Sequence, residues 1–314
     1  MSNTVFRAGG EKLFGYEKNM REKAYFIGAH AYSAPVIEPG LYLVATPIGN
    51  LADITLRALQ VLAGVDILAC EDTRVTRVLL ERYGIEKKTF LYHEYNVQKA
   101  GPKLLAALAE NKTVALVSDA GTPLISDPGF RLVEEARKAN YKIVPIPGAS
   151  ALLAALVTTG LPTDSFFFAG FLSARKIQRQ KRLEQLKTIP ATLVFYESPH
   201  RLVETLQDMV SFFSADRPAA ICRELTKKFE TVNVSNLGNL LESYRKQVHI
   251  RGEIVVLVGQ ALPSLEVMNE QEIDEILLEL AGVHSASKAA ALAVKKTGLK
   301  KQELFQRLNF LKGA

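Results

Sequence analysis

The stretch TVALVSDAGTPLISDPG, residues 113–129, decides the fold. Thr113–Ser118 reads as a buried strand. It runs straight into a turn crowded with glycine, proline and hydroxyl- or carboxyl-bearing residues, Asp119, Gly121, Thr122, Pro123 and Asp127, with Leu124 among them. Working outward, the same form recurs three times. Leu41–Thr46 runs into Pro47-Ile48-Gly49-Asn50, Asp66–Cys70 into Glu71-Asp72-Thr73-Arg74, and Lys142–Ile146 into Pro147-Gly148-Ala149-Ser150-Ala151. Between these strands, and a further one at Thr89–His93, lie helical patterns. One is capped by Asp53 and carries Leu56, Leu59 and Leu62 on one face; another stops at Gly84; two more span 102–110 and 129–139. Alternating β and α segments predict a mostly parallel sheet covered on both faces. Ligands of such sheets sit outside the carboxyl ends of the strands. One such turn could be turn chemistry alone; four on one sheet edge read as a built site.

A second α/β set begins after Gly160-Leu161-Pro162. Its strands fall near 165–170, 191–196, 218–223, 229–234 and 253–258, with helices near 175–188, 200–213 and 236–246. The strand at 229–234 follows its predecessor too closely for a crossover helix, so this half is expected to be mixed, with antiparallel pairs. A linker over 260–269 leads to short helices with Gly298 between the last two, a spacing that suits a helix-turn-helix-like module. The domains expected are a polar extension without fixed structure (1–40), an N-terminal α/β domain (41–160), a mixed α/β domain (161–260) and a helical module (266–314).

The chain has 314 residues, 48% of them apolar and 23% charged, which excludes disorder, coiled coil and collagen-like sequence. Its longest near-unbroken apolar run, Ala149 to Val157, is too short to span a bilayer. Two lone cysteines, Cys70 and Cys222, make neither a disulfide framework nor a metal site. With no targeting pattern in the first forty residues, a cytoplasmic protein is expected. The net charge of +6 is unevenly spread. Arg175, Lys176, Arg179, Lys181, Arg182 and Lys187 cluster against one acid, Glu184. Residues 284–314 hold seven bases, among them Lys288, Lys295, Lys296, Lys300 and Lys301, against Glu303. Either cluster alone could be a solvated helix face. Together they suggest a polyanionic partner, most simply nucleic acid.

No Walker A sequence, GxGxxG after the first strand, GxSxG elbow or metal-ligand spacing is present, so no metal is expected. The stretches ATPIGNLADITLRAL (45–59), CEDTR (70–74), LVSDAGTPLISDPG (116–129), PIPGASA (145–151), FYESPHRL (195–202), RELTKKFE (223–230) and RGEIVVLV (251–258) closely resemble the bacterial ribosomal RNA small subunit methyltransferase I family, within the tetrapyrrole methylase-like superfamily. The resemblance spans about residues 41–312, with seven motifs in the family's order. It implies a two-domain tetrapyrrole methylase-like fold with a small C-terminal helical module and a homodimer. It also implies S-adenosylmethionine-dependent 2′-O-methylation of a cytidine in the decoding region of 16S rRNA in the small ribosomal subunit. Carried over by motif, cofactor binding falls to Pro47, Ile48, Gly49, Asn50, Asp119, Gly121, Thr122, Pro123, Leu124, Ser150 and Ala151 on one wall. Phe171, Leu172, Leu225, Gly252, Glu253 and Ile254 form the other. Ala45 and Ala149-Ser150 depart from the commoner proline-containing forms, though both are small residues in backbone-lined turns.

Methyl transfer to a 2′-hydroxyl needs alignment and somewhere for the hydroxyl proton to go. Carboxylates expected at the cleft rim are Glu71, Asp72, Glu197 and Glu224; Arg74, Arg201 and Arg223 could hold phosphates. Each has a structural alternative. Glu71-Asp72 could serve a helix N-terminus, and Arg223-Glu224 could be a structural ion pair. The rival functions are a small-molecule methylase on the same fold, which would not need extended cationic surface, and a non-catalytic RNA-binding protein, which would not need the four turns.

Overall fold

A computed structural model describes residues 23–260, 270–297 and 299–313. The chain forms two units, Met1–Gln260 and Ala261–Ala314. No helix among the described residues is long and apolar enough to cross a membrane.

The first unit opens on an antiparallel hairpin, β1 (Ala24–Ile27) and β2 (His30–Ser33). This corrects the expectation that residues 1–40 are unstructured, as far as 24–33 are concerned; residues 1–22 lie outside the described residues. Tyr25 is buried in one core with Tyr42 and stacks on Tyr32 at 5.5 Å, and Phe26 N–H donates to the Tyr83 carbonyl at 2.8 Å. Two four-residue strands are too short to show their alternation against a polar background.

Five strands, β3 (Gly40–Val44), β4 (Ile67–Cys70), β5 (Thr89–Leu91), β6 (Thr113–Val117) and β7 (Ile143–Ile146), form a wholly parallel sheet in the order β5-β4-β6-β3-β7. Its crossovers carry α1 (Leu56–Gly64), α2 (Thr73–Arg82), α3 (Val97–Ala109) and α4 (Phe130–Lys138). Side chains alternate along β3. Tyr42 and Val44 join Leu59, Leu62 and Leu79 on one face; Leu41 joins Leu104, Leu108 and Leu132 on the other. The cap of α1 is Thr55, whose Oγ1 accepts the Ala58 N–H at 3.1 Å; Asp53 instead ends a short 3-10 turn capped by Asn50. Helix α3 starts five residues before the expected 102 and holds Pro102 inside it, where proline more often marks a beginning.

Next comes α5 (Ala151–Thr158), then β8 (Phe166–Phe171), α6 (Lys176–Leu186), β9 (Thr192–Glu197), α7 (Leu202–Phe213), β10 (Pro218–Arg223), β11 (Thr231–Asn236), α8 (Leu237–Arg245) and β12 (Ile254–Val258). This second sheet has the order β11-β10-β12-β9-β8, and of its neighbouring pairs β8 with β9 is parallel. Helices α6 to α8 cover one face around Leu183, Leu206 and Phe213. Against the other face pack Ala155 and Leu156 of α5 and, from the loop after β3, Ile48. That apolar seam of Ile48, Leu156, Val194, Cys222 and Leu257 holds the carboxyl edge of the first sheet over the second sheet.

The second unit, described by itself, is α9 (Glu270–Val283), α10 (Ala286–Thr297) and α11 (Lys301–Gly313) around Ile273, Leu277, Ala290, Ala293, Leu304 and Leu308. Arg307 of α11 pairs with Asp274 at 2.5 Å and Glu270 at 3.2 Å on α9. The linker expected over 260–269 lies, from 261 on, outside the described residues.

Candidate active site

Where the two sheets face each other the first unit encloses a cavity of about 400 Å³. The turn after β6 supplies Asp119, Gly121, Thr122, Ile125 and Asp127 to its wall, and the start of α5 supplies Ser150 and Ala151. From the other sheet come Phe171, Tyr196, Glu197, Leu225 and Gly252 through Val255. The sequence-read turn is folded by two non-glycine residues in the left-handed region, Leu124 (φ 73) and Ser126 (φ 66). A two-way backbone bridge, Thr46 N–H to Gly121 carbonyl at 2.8 Å and Gly121 N–H to Thr46 carbonyl at 3.0 Å, ties it to the end of β3.

Of the expected cofactor residues, Ile48, Asp119, Gly121, Thr122, Ser150, Ala151, Phe171, Leu225, Gly252, Glu253 and Ile254 line the cavity. Pro47, Gly49, Asn50, Pro123, Leu124 and Leu172 do not, and each of several has another task. Asn50 caps its turn, Leu124 packs into the first sheet's core, and the buried Leu172 gives its carbonyl to Arg201 at 3.0 Å. Gly49 lies under Lys227, so that a Cβ there would come within 2.5 Å of the lysine Cε.

The expected catalytic group divides. Glu197 lines the cavity, but its Oε1 lies 2.8 Å from Arg201 Nη2 and accepts the Ser198 N–H at 2.7 Å, while Oε2 accepts from Thr205 Oγ1 at 2.6 Å. With both oxygens engaged, it anchors the Ser198-Pro199 wall and is no free base. Glu71, Asp72, Arg74, Arg223 and Glu224 stand outside the cavity wall. Asp72 caps α2 and chelates the Arg74 guanidinium, whose hydrogen bond holds the carboxyl at about 2. Its backbone N–H donates to Asp119 Oδ1 at 3.0 Å, joining the two strand ends. Arg223 donates to the carbonyls of Arg251 (3.3 Å) and Phe229 (3.4 Å). Glu224, itself left-handed at φ 54, accepts the Glu253 N–H at 2.9 Å and Lys227 Nζ at 3.0 Å. Gly252 (φ 95) must be glycine: a Cβ would fall 2.5 Å from Glu224 Cγ, in a backbone region other residues avoid.

Sequence reading missed Ala120, Ile125, Ser126, Asp127, Tyr196, Ser198, Pro199, Cys222 and Val255 as wall residues. Asp127 had a signal, the second Ser-Asp of the quoted turn, but only the left-handed bends bring it back to the cavity. Burial, opposed by a hydrogen bond from Ser118 and reinforced by Asp119, pushes the Asp127 carboxyl up to about 6. Asp119 is raised as well, chiefly by burial, and Glu71 by burial together with the charges of Asp119 and Asp127. The first-sheet wall is therefore acidic and held partly against its own repulsion.

Among the expected RNA-binding residues, Arg175, Lys176, Lys181 and Arg182 are exposed at the start and along α6. Arg179 is not: it is 2% exposed, with Nε 2.7 Å from Asp208 and Nη2 3.4 Å from Glu204, so it braces α6 on α7. On the helical unit, Lys288, Lys296, Lys300 and Lys301 are exposed. The side chain of Lys295 lies outside the described residues. Among the described residues no cluster of His, Cys, Asp or Glu is arranged to hold a metal ion.

A parallel sheet over a mixed one, with the cavity at the carboxyl edge of the first, defines a methyltransferase of the tetrapyrrole methylase class, and residues 40–241 match the family model of Tetrapyrrole (Corrin/Porphyrin) Methylases. The fold is that of uroporphyrin-III C-methyl transferase from Thermus thermophilus, solved in complex with S-adenyl homocysteine; the TM-score is 0.52 at 18% identity, over 71% of this chain and 98% of that one. Residues 268–312 match the RsmI C-terminal HTH domain. The chain is 56% identical over 286 residues to the Ribosomal RNA small subunit methyltransferase I of Mesorhizobium japonicum, covering 91% of this chain and 97% of that protein. With the namesake from Escherichia coli O157:H7 it shares 44% over 267 residues, 85% of this chain and 93% of that one. It belongs to the ribosomal RNA small subunit methyltransferase I family.

Proposed function

We propose that this protein transfers a methyl group from S-adenosylmethionine to the ribose 2′-oxygen of a cytidine in the decoding region of 16S rRNA. The observation that carries the proposal is the joint match of methylase unit and helical unit to one family along nearly the whole chain. The cavity fits the cofactor. Its volume of about 400 Å³ lies in the usual range for small-molecule sites. Ile48, Ala151, Leu225 and Ile254 offer apolar surface to a flat heterocycle, while Asp119 and Asp127 offer negative charge to a cation. When bound, S-adenosylmethionine supplies a methyl group activated by a positively charged sulfur.

The chain's own part is alignment and proton management. Asp119, fixed by the Asp72 N–H, orients whatever cation or hydroxyl shares its edge of the cavity. Asp127 suits a proton acceptor: at about 6 it is charged at neutral pH, yet basic enough to draw on a hydroxyl proton. The exposed bases of α6 and of the helical unit support a polyanionic substrate. Cytoplasmic location follows from that substrate. A homodimer is part of the same reading, supported by α5. Its sequence ALLAALVT has no polar residue before Thr158, yet Leu153 is 50% and Val157 74% exposed, a face that a second copy would cover.

The test is transfer of labelled methyl to small subunits lacking the modification, with the modified nucleotide and atom mapped afterwards. Label at a ribose oxygen of a decoding-region cytidine supports the reading; label on a base, or on a small-molecule acceptor alone, overturns it.

A further inference from the structure

Beyond the cavity, the carboxyl edge of the first sheet continues across β4 to its edge strand β5, and what stands there has no role in the account so far. Tyr95 is 97% exposed. It is not on a loose loop: His93 N–H donates to Asn96 Oδ1 at 2.9 Å, Asn96 Nδ2 to the Leu91 carbonyl at 3.0 Å, and Asn96 N–H to the His93 carbonyl at 3.0 Å. The His93 ring meets Tyr95 edge-on, with centroids 6.0 Å apart. His93 Nδ1 is shut off from solvent without a hydrogen-bond partner, and its imidazole acts electrostatically on Glu71, the neighbouring strand end. The turn is thus held in place while the Tyr95 ring stands fully in solvent, its face open to a flat partner.

Position says what that is. Cys70 pairs with Leu91 on one side and with Val117 on the other, so the edge reads His93, then Glu71-Asp72, then Ser118-Asp119. Strands are spaced about 4.8 Å apart, which sets His93 about 10 Å from Asp119 across the edge, with Tyr95 in the turn just beyond it. A single nucleoside spans that distance. Arg74, at the start of α2 on the same edge, is paired with Asp72 at 2.6 Å, its side chain 89% exposed.

We infer that Tyr95, backed by His93, is the stacking platform for the base of the acceptor nucleotide, splayed out of the RNA so that its ribose reaches the cavity mouth. The inference rests on the methylation reading above and adds the base-binding residue to it. Single-stranded bases are held in this way by exposed aromatic side chains, and losing one platform weakens binding about tenfold or more.

The experiment compares wild type, Tyr95→Ala and Tyr95→Trp in labelled methyl transfer to unmodified small subunits, with cofactor affinity and melting temperature measured on each. Expected are a KM for the subunit raised about tenfold or more in Y95A, recovery to near wild type in Y95W, and unchanged cofactor affinity and melting. Wild-type KM in Y95A, or a Trp variant as impaired as the Ala variant, overturns the inference alone. Absence of transfer by the wild type overturns the methylation reading, and the inference with it.

Discussion

Two carboxyls in the cavity wall carry the most testable chemistry. Asp119 accepts a backbone N–H from the neighbouring strand end and faces the cavity. Asp119→Ala should weaken S-adenosylmethionine binding by about 1–3 kcal/mol, the cost of leaving its partners unpaired, with the fold retained; calorimetry reads this directly. Asp127 makes a prediction of opposite sign for stability. Its carboxyl is raised from 3.8 to about 6 on folding, so between those values the native state binds more protons than the unfolded chain, and stability falls as pH rises through that window. Asp127→Asn removes a charge that opposes folding at neutral pH. The variant should melt roughly 2–6 °C above wild type at pH 7.5 and close to it near pH 4, while methyl transfer is lost. A thermal melt at both pH values checks the first half, and single-turnover transfer the second. A carboxylate that destabilises its own fold is understandable where charge is needed for chemistry.

At the level of elements, α5 is the one whose surface and surroundings disagree. Its buried face, Ala155 and Leu156, belongs to the seam between the sheets, whereas Leu153 and Val157 look outward. If the proposed homodimer forms through this face, replacing both by glutamate should lower the sedimentation coefficient to that of a monomer without lowering cofactor affinity; an unchanged coefficient would count against a dimer through this helix. The same helix shows how far sequence reading went. The parallel βα array, the mixed second sheet and the closing helices were legible, because buried strands bounded by Gly- and Pro-rich turns leave a periodic trace. Helix α5 leaves no such trace, since its run of seven apolar residues before Thr158 has no period to detect. The β1–β2 hairpin escaped for its shortness. Within the site, eleven of the cofactor residues carried over by motif line the cavity. The catalytic candidates fared differently because their partners are set by long-range packing. Nothing in the local sequence says that Glu197 will meet Thr205 and Arg201, that Arg179 will turn inward to Asp208, or that Leu124 and Ser126 will bend Asp127 back into the wall.

For the molecule as a whole, the charged tail and the methylase unit are separately built. The helical unit has its own core, and Arg307, one of its seven bases, is spent on Asp274 and Glu270. Lys288, Lys296 and Lys300 are exposed. If these three touch phosphate, replacing them by alanine in the full chain should flatten the plot of log RNA affinity against log salt by about 2–3, with cofactor binding untouched. A salt series on both proteins measures it, and an unchanged slope would make these lysines a solvated face. Cutting the chain at residue 284 is a poorer experiment, because it would strip Ile273 and Leu277 of α9 from their partners on α10 and α11.

The position of β3 also constrains how the chain comes to be folded at birth. Gly40–Val44 lies between β6 and β7, yet those partners are Thr113–Val117 and Ile143–Ile146. At synthesis rates of roughly 5–20 residues per second, β3 waits on the order of 5–20 s before its second neighbour has even been made. During that interval an apolar strand edge stands open to other nascent chains. Slowed translation before residue 146 should therefore raise aggregation more than slowing after it, and Ile48, whose seat lies on the second sheet, has longer still to wait.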